Sequence, residues 1–140
     1  MSLWKKKASI SDLNVFSQNT LVSHLGIEIT EIGDDSITAT MPVDERTRQP
    51  MGFLHGGASV VLAETLGSVA AHLMAEENTV SFGVEVNANH LRSVRAGTVT
   101  GVARALRIGT TLQVWDIQIS DERGELVCAS RLTVAVRLAR

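Results

Sequence analysis

Residues 56 to 75 contain no proline, and Leu62, Leu66, Val69 and Leu73 recur within them at helical spacing, with Ala63, Gly67 and Ala70 as a strip of small residues beside them. A helix apolar or small over most of its circumference cannot stand alone in water and must be enclosed by the rest of the chain. That demand constrains the fold more than any other feature. Within this helix stands one carboxylate, Glu64, which the pattern predicts to be buried, and a buried carboxylate is costly unless the protein uses it. The helix opens on Gly56-Gly57, and no Ser, Thr, Asp or Asn precedes it to cap the first-turn N–H groups. Such donors are then left for a ligand, and the helix dipole favours negative charge developing there, as on the oxygen of a carbonyl under attack. An open donor end paired with a carboxylate points to acyl transfer. Taken singly, Gly56-Gly57 reads as a tight turn and Glu64 as a surface residue.

The chain has 140 residues, enough for one domain spanning 1–140 with a core that needs no disulfide or structural metal. Cys128 is the only cysteine, so no intrachain disulfide forms and a reducing cytoplasm is the expected setting. Lys5-Lys6-Lys7 is followed by Ser9, Ser11, Asp12 and Asn14, which interrupt any signal-peptide core. No run approaching a membrane span is expected, and a formal net charge of −2 with dispersed basic residues gives a nucleic-acid role little support.

Elsewhere the hydrophobic period is two. Residues 10 to 25 read as one or two short outer helices. Ile27 and Ile29, then Ile37, Ala39, Met41 and Val43, flank the Gly33-Asp34-Asp35 turn and predict a hairpin. Residues 44 to 54 form an irregular loop. After the helix, Val80, Phe82, Val84, Val86 and Ala88 are predicted to line one face of a half-buried strand. Residues 98 to 108, the segment around Trp115, Ile117 and Ile119, and the alternation from Leu126 to Leu138 give three more strands. A hairpin, one long helix and four strands make an α+β fold in which an antiparallel sheet wraps the helix.

The histidines do not form a metal set: His24, His55, His72 and His90 have no zinc-like spacing, and only one cysteine is present. Cys128, on the apolar face of a strand, reads as a small core residue rather than a nucleophile. Ser68 follows Glu64 by four residues, which places the two on one helix face within reach of a hydrogen bond. Arg92, Arg95, Arg104 and Arg107 are open to two readings, a basic patch for phosphates or a solvated sheet edge.

With these residues in view, the chain resembles the hotdog-fold acyl-CoA thioesterases, in particular the group that includes hydroxybenzoyl-CoA and dihydroxynaphthoyl-CoA thioesterases. The shared motifs are Leu3-Trp4-Lys5, Met41-Pro42-Val43-Asp44, Gln49-Pro50, His55 to Ser68, Asn87-Ala88-Asn89-His90 and Gln113-Val114-Trp115, so the resemblance spans nearly the whole chain. It implies a five- or six-stranded sheet around the helix, dimers often paired into tetramers, and acyl-CoA substrates with no metal or redox cofactor. By the same resemblance Glu64 is the catalytic carboxylate, as nucleophile or general base. Gly56 supplies the N–H that polarises the thioester carbonyl, Gln49 and His55 lie beside that carbonyl, and Ser68 helps place the carboxylate or the water. Val69 is counted among the substrate-binding residues and, with His90 to Ser93, looks closer to the menaquinone branch of the family than to its carrier-protein sibling. Gly83, His90, Leu91, Arg92 and Ser93, with the turn Arg107, Ile108, Gly109, Thr110, Thr111 and Leu112, match the segments that hold the CoA arm. Met51, His72 and Arg107 depart from the residues common in close relatives.

Gly56 and Glu64 are separated by roughly 12 Å of helix axis, too far for one carbonyl to meet both. Two antiparallel copies of the helix across a two-fold axis would bring Gly56 of one chain to Glu64 of the other, giving a homodimer with shared sites. The expected activity is hydrolysis of an aromatic acyl-CoA, with dihydroxynaphthoyl-CoA as first candidate. Release of misloaded acyl groups from an aryl carrier protein is the alternative. A hydratase would want His55 paired with Glu64, but nine residues do not put them on one helix face. A non-catalytic acyl-CoA binding protein would have no need of Glu64.

Overall fold

A computed structural model describes all residues from Met1 to Arg140. Two short helices, α1 (Ile10–Phe16) and α2 (Leu21–His24), precede the hairpin of β1 (Glu28–Ile32) and β2 (Ser36–Pro42). The long helix α3 (Gly56–Met74) is followed by β3 (Thr79–His90), β4 (Thr98–Ile108), β5 (Leu112–Ser120) and β6 (Leu126–Leu138). All six strands form one antiparallel sheet, as the sequence pattern and the resemblance imply, and their order is β1-β2-β4-β5-β6-β3. Although β4 follows β3 in the chain, the two are not neighbours. β3 pairs only with β6 and leaves its other edge open, while β4 pairs with β2 at the far side of the sheet.

The sheet encloses the sequence-predicted face of α3. Leu62, Ala63, Leu66, Ala70 and Leu73 are buried against Ile37, Met41, Val99, Trp115, Ile117 and Leu132. Two glycines set how closely helix and sheet approach. A Cβ on Gly67 would lie 2.6 Å from Leu132 Cδ2, and one on Gly101 would lie 2.7 Å from Leu66 Cδ1. By length and composition α3 passes as a membrane span, contrary to the expectation that no run would, but 56% of that window is buried inside the sheet.

The predicted continuous face of β3 is not observed. Val84 is a bulge: Gly83 pairs with Val134 and Glu85 with the adjacent Thr133. One extra residue exchanges the two faces of a strand beyond it. Ser81 and Gly83 therefore face α3 before the bulge, and Val86 and Ala88 do so after it. Phe82 and Val84 are left 58% and 59% exposed.

The first residues close the far end of the helix. The Lys5 and Lys6 N–H groups both donate to the Leu73 carbonyl, at 2.9 and 3.0 Å, and Leu3 N–H donates to Asp34 O in the hairpin turn. Trp4 stacks on Trp115 with ring centroids 5.9 Å apart and donates from Nε1 to Gly33 O at 2.7 Å. The Leu3-Trp4-Lys5 motif is thus a structural clasp.

Candidate active site

The loop between β2 and α3 is irregular, as its composition predicts, yet held at many points. Asp44 accepts from the Arg46 N–H and guanidinium, which holds its carboxyl below the usual carboxylate range. Buried Thr47 donates from Oγ1 to Pro42 O at 2.8 Å, and its carbonyl accepts from His55 N–H at 2.7 Å. Gln49 Oε1 accepts from Met51 N–H at 2.6 Å and Phe53 N–H at 3.3 Å. With the carbonyl end of that amide occupied, its NH2 end has no partner in the chain. Gln49 lines a cleft of about 710 Å³ together with Phe53, Gly56, His90, Leu91 and Arg92.

Gly56 begins α3 at the floor of this cleft. A Cβ there would lie 2.8 Å from His90 Nε2, so glycine is what allows the imidazole to rest on the helix terminus. The expectation that the first turn lacks a cap needs correction. His55 is the N-cap, its Nδ1 accepting from Gly57 N–H at 2.8 Å. An imidazole nitrogen two residues upstream reaches the donor that a Ser or Asp oxygen usually takes. The Ala58 and Ser59 N–H groups are satisfied by the His55 carbonyl. The open donor is therefore a single one, Gly56 N–H, which bonds to nothing in the chain and borders the cleft with Gln49.

Glu64 is exposed in the single chain, which overturns the predicted burial. Its helix has a second face, Gly57, Val61, Glu64, Ser68 and His72, that the sheet leaves uncovered. The hydrophobic pattern identified the enclosed face and did not separate it from this stripe. Glu64 lies against β3, with Oε2 3.4 Å from where a Gly83 Cβ would stand. The expected Ser68–Glu64 hydrogen bond is absent; the serine instead lines a second cleft, of about 500 Å³, with Val69, Gly83 and Val134.

The site residues named from the sequence thus fall into two groups. Gln49, His55, Gly56 and the segment His90 to Ser93 gather at the start of α3. Glu64, Ser68 and Val69 gather roughly two to four turns further along the helix, with Gly83 of β3 beside them. The turn from Arg107 to Leu112 lines neither cleft and lies on the side of the sheet away from the first group: Leu112 pairs with Ala135, which pairs with Phe82. Phe82 and His90 are roughly 26 Å apart along a strand of eight intervening steps. Arg92 stands 3.6 Å from Glu125, whereas Arg107 makes no ion pair in the chain. Arg95 lies over the Phe53 ring at 4.4 Å from its centroid, and its carbonyl accepts from Arg48 Nε, so it packs the loop. Cys128 is fully buried, and burial pushes its thiol up, in keeping with a core role. The sequence reading missed Phe16, Asp12 and Ser81, which line the second cleft; nothing in their spacing distinguishes them from surface residues.

These features have close counterparts. The family model of the thioesterase superfamily matches residues 51–128. The chain is 52% identical over 134 residues to 1,4-dihydroxy-2-naphthoyl-CoA hydrolase of Escherichia coli K12, covering 96% of this chain and 98% of that one. It is 51% identical over 134 residues to the proofreading thioesterase EntH of Cronobacter turicensis, with the same coverage. The crystal structure of a thioesterase from Haemophilus influenzae superposes with a TM-score of 0.95 at 53% identity, covering 97% of this chain and 95% of that one. The chain belongs to the thioesterase superfamily, with the hotdog fold, and is a thioester hydrolase.

Proposed function

We propose that the chain hydrolyses an aromatic acyl-CoA, with 1,4-dihydroxy-2-naphthoyl-CoA as first candidate, in sites built from two copies of the chain. The observation that carries the shared site is the placement of the two groups along β3. Gly56 packs at the level of His90 and Glu64 at the level of Gly83, so α3 runs antiparallel to β3. An antiparallel sheet extends naturally by pairing the open edge of β3 with the same edge of a second copy. With the two-fold axis near residue 86, His90 of one chain comes opposite Gly83 of the other. Gly56 then faces the partner chain's carboxylate across the seam in both sites at once. The same register brings the His90–Ser93 segment of one chain towards the 107–112 turn of the other, so the two separated CoA segments can serve one substrate.

In such a site Gly56 N–H and the free amide end of Gln49 donate to the thioester oxygen. Negative charge develops there as the carbonyl carbon becomes tetrahedral, and fixed donors at a helix terminus stabilise it. Glu64 either attacks that carbon, giving an anhydride that water then opens, or takes a proton from water as the water attacks. In both routes the carbon–sulfur bond breaks, CoA leaves as the thiol after gaining a proton, and the acid is released. Val69 and the apolar walls of the second cleft hold the acyl group, and Arg92 and Arg107 hold CoA phosphates. No step calls for a metal or redox cofactor.

The 51% identity to a proofreading thioesterase supports a second reading, in which the same chemistry releases acyl groups from an aryl carrier protein. A panel of aryl-CoA and aryl-carrier thioesters, compared by kcat/KM, separates the two. The shared site is tested with two inactive variants, Glu64→Ala and Gly56→Val, unfolded and refolded as an equal mixture. Statistical pairing makes about half the dimers mixed, each with one intact site of two, so about a quarter of parental activity returns. No recovery, with mixed dimers confirmed by mass, overturns the shared site.

A further inference from the structure

Ser59 is a buried polar residue that neither the fold nor the proposed chemistry uses. It stands on the enclosed side of α3, one turn beyond Gly56, and keeps only 1% of its surface exposed. A serine on a helix commonly donates to the carbonyl four residues back, as Ser17 Oγ does to Leu13 O at 3.2 Å. The Ser59 hydroxyl does not. The carbonyl within its reach, His55 O, accepts only from the Ala58 and Ser59 N–H groups, and the hydroxyl makes no other hydrogen bond in the chain. No fully enclosed side-chain nitrogen or oxygen lacks a partner, so this one opens outward, into the first cleft that Ser59 lines with Gly56, Leu54 and Val127. A hydroxyl sunk among apolar walls is costly until a partner arrives.

We propose that Ser59 reads the secondary amide of the substrate's thiol arm, the amide two methylenes from the sulfur. The inference rests on Gly56 N–H as the donor to the thioester oxygen, and it holds for CoA and carrier-protein thioesters alike, because both carry this arm. Gly56 and Arg92 line the same cleft. With the carbonyl held at the first and phosphates at the second, the arm between them occupies that cleft. The thioester oxygen itself is out of reach of Ser59. It stands about 3 Å from the Gly56 nitrogen, off the end of the helix. Ser59 lies roughly 4.5 Å along the axis in the opposite direction. Even with its Cβ tilted towards the N-terminus, the hydroxyl falls roughly 6 Å from that oxygen. The next polar group along the arm is the amide, and the sulfur and two methylenes span the gap. An amide donates and accepts, and so does a hydroxyl. An alkyl chain in its place leaves Ser59 buried and unpaired, so the contact discriminates more strongly than apolar packing does.

The test compares kcat/KM for two benzoyl thioesters, of N-acetylcysteamine and of pentanethiol, in the parent, Ser59→Ala and Gly56→Val. The first thiol carries the amide, and the second matches its length without it. The parent prefers the amide-bearing ester. In Ser59→Ala, which leaves no group of its own unpaired, that preference falls about three- to tenfold, the range for one neutral hydrogen bond to the substrate, and the loss appears in KM for the amide ester. Gly56→Val suppresses hydrolysis of both esters. If Gly56→Val hydrolyses both like the parent, the carbonyl is not held at the helix start, and the placement beneath the proposal is wrong. If Gly56→Val is folded and inactive while Ser59→Ala keeps the parental preference, the placement stands and Ser59 does not read the arm. An equal loss on both esters in Ser59→Ala overturns the proposal as well, since it marks a structural role.

Discussion

The two faces of α3 obey different rules although they share one backbone. On the enclosed face Leu62, Leu66 and Leu73 are fully or almost fully buried, and Gly67 is pressed against Leu132 with no room for a methyl group. On the open face Gly57, Glu64, Ser68 and His72 are exposed and make few contacts with their own chain. Stability depends on the first face, and the proposed chemistry on the second. A substitution on one should leave the other largely untouched, which makes the contrast measurable.

The largest expected effect is on the open face. Glu64→Ala lowers kcat by several orders of magnitude, with a denaturation midpoint close to the parent's, because an exposed side chain has little packing to lose. Near-parental hydrolysis in that variant would break the division at its centre. Leu66→Ala should do the reverse, destabilising the fold by about 2–5 kcal/mol through the cavity it leaves, with turnover per folded molecule near parental. Urea denaturation and an active-site titration check it. Gly67→Ala comes next. Crowding against Leu132 costs about 1–3 kcal/mol, and the gain of up to about 1 kcal/mol in helix propensity offsets only part of it. A more stable variant would mean that the helix can lift from the sheet without penalty. The smallest effects belong to the substrate arm. Arg107→Ala should raise KM a few-fold with little change in kcat, and Arg92→Ala less, since Glu125 already draws on Arg92. Added salt should shrink both differences. A fall in kcat alone would move these arginines into the chemistry.

The enclosed face and most of the fold were legible in the sequence because burial imposes a period, and a period survives without knowledge of neighbours. All four later strands, the hairpin and the helix boundaries follow from it. What it conceals is local exception. One extra residue at Val84 turns an apparently continuous apolar row into two half-faces, and its only mark in the sequence is the preceding Gly83, which permits a bulge without requiring one. The cap at His55 was missed because an imidazole seldom fills that position, and its role depends on a ring orientation that the sequence does not carry. The apolar neighbours of Glu64 in the sequence mark it as the candidate reactive group, yet its surroundings in space are a stripe along the helix that its own chain does not cover. That Asp12 and His72 line one cleft is not legible in the sequence, because sixty positions separate them.

The N-terminal clasp has a spectroscopic consequence. Trp4 and Trp115 are the only tryptophans, and the chain has no tyrosine, so nearly all ultraviolet fluorescence and near-ultraviolet dichroism arise from one stacked pair. That signal observes a single place, where the first residues lie over the hairpin turn and the core. If the clasp frays before the sheet melts, fluorescence will change at lower denaturant than the far-ultraviolet dichroism of the backbone, and the two curves will part. Coincident curves would instead make the first four residues as much a part of the cooperative unit as the central strands.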